Sequence, residues 1–162
     1  MNPEFDIEKY YGKWYQIYSN IIIQELFERG SRCIQALYEP LEDNKIRVYN
    51  QQITSQNEIE SIEGFAIIPN PKEPFHLEVY FPSVGQQGAP YWIYDLGPIE
   101  NGQYQYAIVS DPKQRTLYVL ARDVDDFMER YDKIVLQTLQ EMGFTKSFNE
   151  PLLTNQDDCF LP

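Results

Sequence analysis

Few residues in this sequence are of types that do covalent chemistry. The 162-residue chain has one histidine, His76, and two cysteines, Cys33 and Cys159. His76 has the opposite parity to Phe75, Leu77, Val79 and Phe81, so a strand here turns it away from the apolar face. No serine–histidine–acid set, metal-ligand spacing or phosphate-binding glycine loop is visible. Carboxylates are abundant, but no pair stands apart from an ordinary solvated face. What remains is thiol chemistry at Cys33 and non-covalent binding. For binding, the informative residue is Asn50, which continues the alternation of Ile46 and Val48. A lone amide on an apolar face costs about 1–3 kcal/mol if it stays unsatisfied. It therefore takes a ligand carbonyl, hydroxyl or carboxylate, or else neighbouring tyrosine hydroxyls or water.

Composition narrows the field further. The net charge is −12, which argues against binding nucleic acid or anionic lipid headgroups, because both need cationic patches. It also simply keeps a protein soluble. Aromatics reach 15%, with 13 Tyr and 9 Phe, which suits strands and an aromatic-lined cavity better than a helical bundle. There is no run of about 20 apolar residues to span a membrane. No signal peptide is visible and no N-glycosylation sequon occurs. A mature chain with a start Met would read this way, and so would a cytosolic one. The two cysteines permit one long-range disulfide, worth about 4–5 kcal/mol in the chain-entropy model, or are two unrelated buried thiols.

The elements that must position these residues are mostly strands. Asp6 can cap a single helical turn, and Gly12 allows a tight exit into a first strand carrying Trp14, Gln16 and Tyr18 on one face. Residues 20–31 read as a long loop folded over an opening and held by Ile22, Leu26 and Phe27, or as a short core helix. Further strands are expected over 33–39, 45–53, 58–68, 75–81, 89–96, 103–110 and 116–122, with Gly64 at a bend or bulge and 85–88 as a loop. Eight sequential strands joined by hairpin-length connections make an all-β, eight-stranded antiparallel up-and-down barrel. Its interior has room for side chains or one small ligand. The spacing of Val124, Phe127, Met128, Tyr131, Val135, Leu139 and Met142 then predicts one amphipathic helix over 124–142, packed on the barrel's outer wall. The whole chain, 1–162, is one domain: barrel about 13–122, helix about 124–142, tail 144–162.

Three features together resemble the lipocalin family, in its apolipoprotein D and bacterial-lipocalin branch. They are the opening Phe5-Asp-Ile-Glu-Lys-Tyr-Tyr-Gly-Lys-Trp14, the strand Leu117-Tyr-Val-Leu-Ala-Arg122, and the order of Arg29-Gly-Ser-Arg-Cys-Ile-Gln-Ala-Leu-Tyr38, Asn44–Gln52, Pro90-Tyr-Trp-Ile93 and Tyr106-Ala-Ile-Val109. The resemblance implies that Arg122 stacks on Trp14 beneath the barrel, with Gly12 completing the signature. It implies a Cys33–Cys159 disulfide tying the second strand to the tail. It also implies ligand contacts at Tyr38, Asn50, Phe81 and Tyr118. Period two independently puts these four inward with Ala36, Val48, Val79 and Leu120. Two departures stand out. The branch's Thr-Asp-Tyr motif is absent from the longer segment 94–103, and a second disulfide has no counterpart.

The expected function is therefore transport of a small hydrophobic ligand: a fatty acid, lysolipid, sterol or retinoid. An alternative is a chromoprotein holding a bilin or carotenoid between Tyr38 and Tyr118. A remote one is a Cys33-dependent enzyme, since one enzyme of the family uses a strand thiol. No cofactor is required beyond such a bound lipid or chromophore, and no catalytic residue or metal is expected. The chain is expected to be a secreted or periplasmic monomer. Bacterial relatives carry an N-terminal lipid, but the cysteine that would take it is not in this chain.

Overall fold

The computed structural model describes residues 5–161; Met1–Glu4 and Pro162, the ends of the predicted domain, lie outside the described residues. A single 3-10 turn, Ile7–Lys9, leads to β1 (Gly12–Ser19), α1 (Ile21–Leu26), β2 (Arg32–Pro40), β3 (Ile46–Ile53), β4 (Ile59–Ile67) and β5 (His76–Phe81). A second 3-10 turn, Pro82–Val84, precedes β6 (Gln86–Leu96), the small β7 (Ile99–Glu100) and β8 (Gln103–Tyr104), β9 (Tyr106–Ser110) and β10 (Leu117–Ala121). Then come α2 (Val124–Arg130), α3 (Asp132–Met142) and the two-residue β11 (Leu152–Leu153). Strands pair in the order β10-β9-β6-β5-β4-β3-β2-β1, and β10 pairs again with β1. All these ladders are antiparallel, so eight strands close into the expected barrel with no free edge.

Period two splits the core into an inside and an outside. Trp14, Ala36, Tyr38, Ile46, Val48, Ala66, Leu77, Val79, Ile93, Val109 and Leu120 fill the barrel. Ile108, Leu117 and Val119 face the other way, against Phe127, Tyr131, Val135 and Leu139. The helical stripe thus lies on the outer wall, as its spacing predicts. It belongs to two helices, however. Tyr131 leaves helical geometry at φ −120°, ψ −20°, between α2 and α3. There its ring packs 5.2 Å from Tyr106 and its hydroxyl donates to Glu100 Oε2 at 3.0 Å. The short Phe127–Met128 step in the sequence marks this region.

Four other expectations need correction. The β1–β10 register shifts between Gln16 and Tyr18, so Trp14 and Tyr18 do not share a face; Trp14 packs inside and Tyr18 packs under the helices. Gly64 is not at a bulge, because β3 and β4 pair residue for residue across it. A Cβ at Gly64 would instead collide with the Tyr80 carbonyl and sit 2.6 Å from Phe81 Cδ1. β6 begins at Gln86, so 85–88 is not all loop; Gly85, at φ 73°, makes the turn. The expected 103–110 strand is interrupted at Gln105, whose backbone instead bonds Pro98 and Arg122.

The plug under the barrel is built as the opening residues suggest. Asp6 Oδ1 accepts the Glu8 N–H at 3.0 Å, and Gly12 sits at φ 105°, in the left-handed region that a side chain disfavours. Trp14 is fully buried and donates Nε1–H to the Tyr10 carbonyl at 2.9 Å. Arg122 stands 3.7 Å above the Trp14 ring. It donates to the carbonyls of Tyr104, Lys13, Lys9 and Tyr10 at 3.0, 2.9, 3.0 and 3.2 Å.

At the other end, the segment after β1 is a short helix. Asn20, completely buried, caps α1, and its amide donates to Arg115 and Phe148 carbonyls at 2.6 and 2.9 Å. The helical period then buries Ile23 and leaves Leu26 and Phe27 exposed at 69% and 56%, so the expected contacts through Leu26 and Phe27 are not made. The tail fills the gap where β2 leaves β1. Thr154 N–H donates to Ile17 O, Cys33 N–H to Asn155 O, and Gln156 Nε2 bridges the carbonyls of Gln16 and Ile34. Cys33 and Cys159 are joined by a disulfide.

Replacing Arg122 by Met would remove four hydrogen bonds to carbonyls and the ring contact. At about 1 kcal/mol per hydrogen bond and ~1–2 for the cation–π pair, unfolding by urea should show a loss of about 5–6 kcal/mol. Reducing the disulfide should cost about 5 kcal/mol for its 126-residue loop, read as a lower melting temperature in dithiothreitol.

Candidate ligand-binding site

The barrel interior has two levels. The floor is set by Tyr10, Tyr38 and Tyr91, which reach it from the plug, β2 and β6. Their hydroxyls form a chain, with Tyr91 2.6 Å from Tyr10 and 2.9 Å from Tyr38. Tyr10 also packs against Trp14 at 4.9 Å, so the phenols rest on the Trp14–Arg122 pair. Between these rings and Ile7, Ile46, Ala66, Leu77 and Val79 lies a residual cavity of about 10 Å³, room for roughly one water. Side chains occupy the floor, one of the two fillings for which an eight-stranded interior has room.

The upper level carries Asn50, Ala36, Tyr118 and Phe81. Asn50 lies opposite Ala36 on β2 and Ile62 on β4. Its Oδ1 is the one buried side-chain polar atom with no hydrogen-bond partner among the described residues. The tyrosine hydroxyls that might have satisfied it bond one another on the floor instead. Tyr118 and Phe81 are only partly buried and pack on the inner core.

Above them, Glu28 comes down from the α1–β2 connection. It is 8% exposed, and its Oε1 accepts Gln16 Nε2 at 3.1 Å and Ser19 Oγ at 3.2 Å. Burial pushes its carboxyl above the usual range, only partly offset by these bonds. Burial also raises the phenols of Tyr10, Tyr38, Tyr91 and Tyr118, that of Tyr38 to about 12. Arg122 is pushed down to about 10 by burial, yet stays charged at neutral pH. No cluster of metal-ligating side chains occurs among the described residues.

A lipocalin-like domain model matches residues 5–151 of the chain. The chain belongs to the lipocalin family. Apolipoprotein D of Macaca fascicularis is 42% identical over 114 residues, which cover 68% of this chain and 55% of that protein. Temperature-induced lipocalin-1 of Arabidopsis thaliana is 26% identical over 143 residues, 84% of this chain and 73% of that one. The chain spans about half the length of the curated apolipoprotein D relatives it matches. Among solved structures, japanin from Rhipicephalus appendiculatus, bound to cholesterol, has a TM-score of 0.63 at 14% identity, covering 96% of this chain and 99% of that one. At that identity the likeness is one of fold.

Within this lipocalin, most residues read as inward from strand parity lie on the inner side or against it; Ile34, which has the parity of Ala36 and Tyr38, instead lines a cavity outside the cup, because the β2 register shifts between Arg32 and Gln35. Ala36, Tyr38, Val48, Val79 and Leu120 are in the inner core, Phe81 and Tyr118 pack on it, and Asn50 shares their level. Only Tyr38 and Val79 border the residual floor cavity. The disulfide occupies Cys33, so the reading of that residue as a nucleophilic thiol is overturned. Tyr10 and Tyr91 were missed. Tyr91 shares parity with the buried Ile93, so alternation along β6 could have found it; Tyr10 comes from a helical turn, where period two says nothing. Glu28 was missed because its burial depends on a loop returning to the barrel.

The buried phenols set a pH limit. A phenol with a raised folded pKa binds its proton more tightly folded than unfolded, so its contribution is complete below the unfolded value near ~10 and declines above it. Spectrophotometric titration should therefore show the floor tyrosines ionising only with loss of the β-sheet circular dichroism. A Tyr91→Phe variant, which loses two hydrogen bonds, should unfold about 1–2 kcal/mol more easily.

Proposed function

We propose that this lipocalin is a monomeric carrier of a small, colourless hydrophobic molecule with one polar group, bound in the upper barrel. The carrying observation is Asn50: its Oδ1 is buried among apolar neighbours with nothing to accept from. An acceptor left so costs about 1–3 kcal/mol, which a ligand hydroxyl or N–H would recover. The apolar body displaces the partly buried Phe81 and Tyr118, and burial supplies about 25 cal/mol per Å². Loading is thus coupled to side-chain movement, because the floor is full. A sterol or a hydroxylated lipid fits this requirement, and the fold neighbour japanin was solved with cholesterol.

A bilin or carotenoid chromophore is the second reading. A bilin's carboxylates need a cation, and the cation of Arg122 is committed to four carbonyls below the floor. This favours the colourless ligand. The disulfide supports an extracellular or periplasmic location, where such bonds persist. Among the described residues no helix is long and apolar enough to cross a membrane.

Native mass spectrometry of protein from its own source, followed by extraction and an absorbance scan, tests the reading. A colourless lipid mass is expected, and a polyene or tetrapyrrole spectrum would replace it with the pigment reading. Asn50→Leu supplies the second arm. It should stabilise the empty protein by about 1 kcal/mol and weaken the extracted ligand about tenfold. Unchanged affinity would overturn the role given to Asn50.

A further inference from the structure

A second cavity lies outside the barrel cup, between the α1–β2 connection and the tail. It measures about 220 Å³, and its walls are residues 24, 25 and 28–31, Ile34 at the start of β2, and residues 153–155. It exists because β2 parts from β1 beyond the Tyr15–Gln35 pair and the tail replaces it there. Glu28 forms one wall. Although more than nine-tenths buried, this carboxylate has no cationic partner among the described residues. Both of its hydrogen bonds fall on Oε1, and both donors are neutral. Oε2 has no hydrogen-bond partner among the described residues. The cavity's own cation, Arg29, pairs not with Glu28 but with Glu25, another wall residue, at 3.7 Å, and its side chain is 82% exposed.

A buried carboxylate without a counter-charge is costly, and such groups are normally paired. The geometry points to a cation that comes from outside. We infer that this side cavity is a second binding site, separate from the barrel cup, for a small organic ammonium ion. Its ammonium would meet Glu28, while Ile34 and Leu153 offer apolar surface to a short hydrocarbon body and Thr154 and Asn155 line the tail side. The volume is below the ~300–1,000 Å³ of drug-sized pockets, which favours an arylalkyl amine or short diamine over a lipid. The raised carboxyl of Glu28 agrees with a site that gains from an arriving cation. The chain's surplus of 25 acidic over 13 basic residues favours the approach of cations.

Phenethylammonium is a suitable probe, with 2-phenylethanol as its neutral counterpart. Titration calorimetry on the intact, oxidised protein should show the amine binding at least tenfold more tightly than the alcohol. Amide shifts should concentrate at residues 28–31 and 153–155. Glu28→Gln should weaken the amine at least tenfold, whereas Asn50→Leu should leave it unchanged. If Glu28→Gln fails to fold, Leu153→Lys decides instead. Leu153 is 61% exposed, and a lysine there brings its own ammonium to the rim, so amine binding should fall at least tenfold with the fold intact. Equal binding of amine and alcohol, shifts confined to the inner barrel, or no amine binding at all would overturn the inference. None of these outcomes bears on the lipid reading, which is tested at Asn50.

Discussion

The contact on which the rest of this barrel depends is the Arg122 guanidinium lying on Trp14. One planar cation links three stretches of chain: it leaves the end of β10, covers a residue of β1 and bonds carbonyls of the plug and of Tyr104. Its five donors in a rigid fork explain why an arginine is used, since a lysine could neither span four carbonyls nor stack on the indole. Gly12 belongs to the same constraint. A Cβ there would stand 3.2 Å from Arg122 Nη1 and 3.1 Å from Gln103 Nε2, so the guanidinium needs the glycine as much as the turn does.

What stands on this base determines what the interior can accept. Trp14 supports Tyr10, and Tyr10 holds Tyr91, which holds Tyr38. Satisfying one another, these hydroxyls make the lower barrel a rigid aromatic floor and leave the unmet hydrogen-bonding capacity one level up, at Asn50. The opposite end is held more loosely. It depends on side-chain bonds from Asn20, Glu28 and Gln156 to neighbouring backbone and side chains, together with one covalent clamp.

The barrel was legible in the sequence because its strands alternate and its connections are short. Strand parity separated Val48 and Val79 from their outward neighbours without any knowledge of pairing. It failed where the backbone departs from period two. The bulge after Gln16 turned Tyr18 under the helices, and the left-handed Cys33, at φ 58°, marks the shift in β2 that opens the side cavity. The helix break at Tyr131 was hidden for a related reason: the apolar stripe continues through it, and only the backbone angles change. The resemblance supplied the pairing of the two cysteines, which a sequence separation of 126 hides from any local pattern. The floor cluster needed side chains from a helical turn and two distant strands to meet, and no local pattern encodes that.

Asn50 and Glu28 present the same physical situation in two places. Each is a polar group that folding buries without giving it a full partner, and each would be replaced by an apolar residue if stability alone were at stake. The two groups differ in sign and in setting. Asn50 offers a buried neutral acceptor in the inner barrel, which suits a hydroxyl on a hydrophobic body. Glu28 is an acid beside a cavity open to solvent, which suits a small cation. Two ligands of such different character would therefore be held by two different groups, one at Asn50 in the inner barrel and the other at Glu28 beside the side cavity.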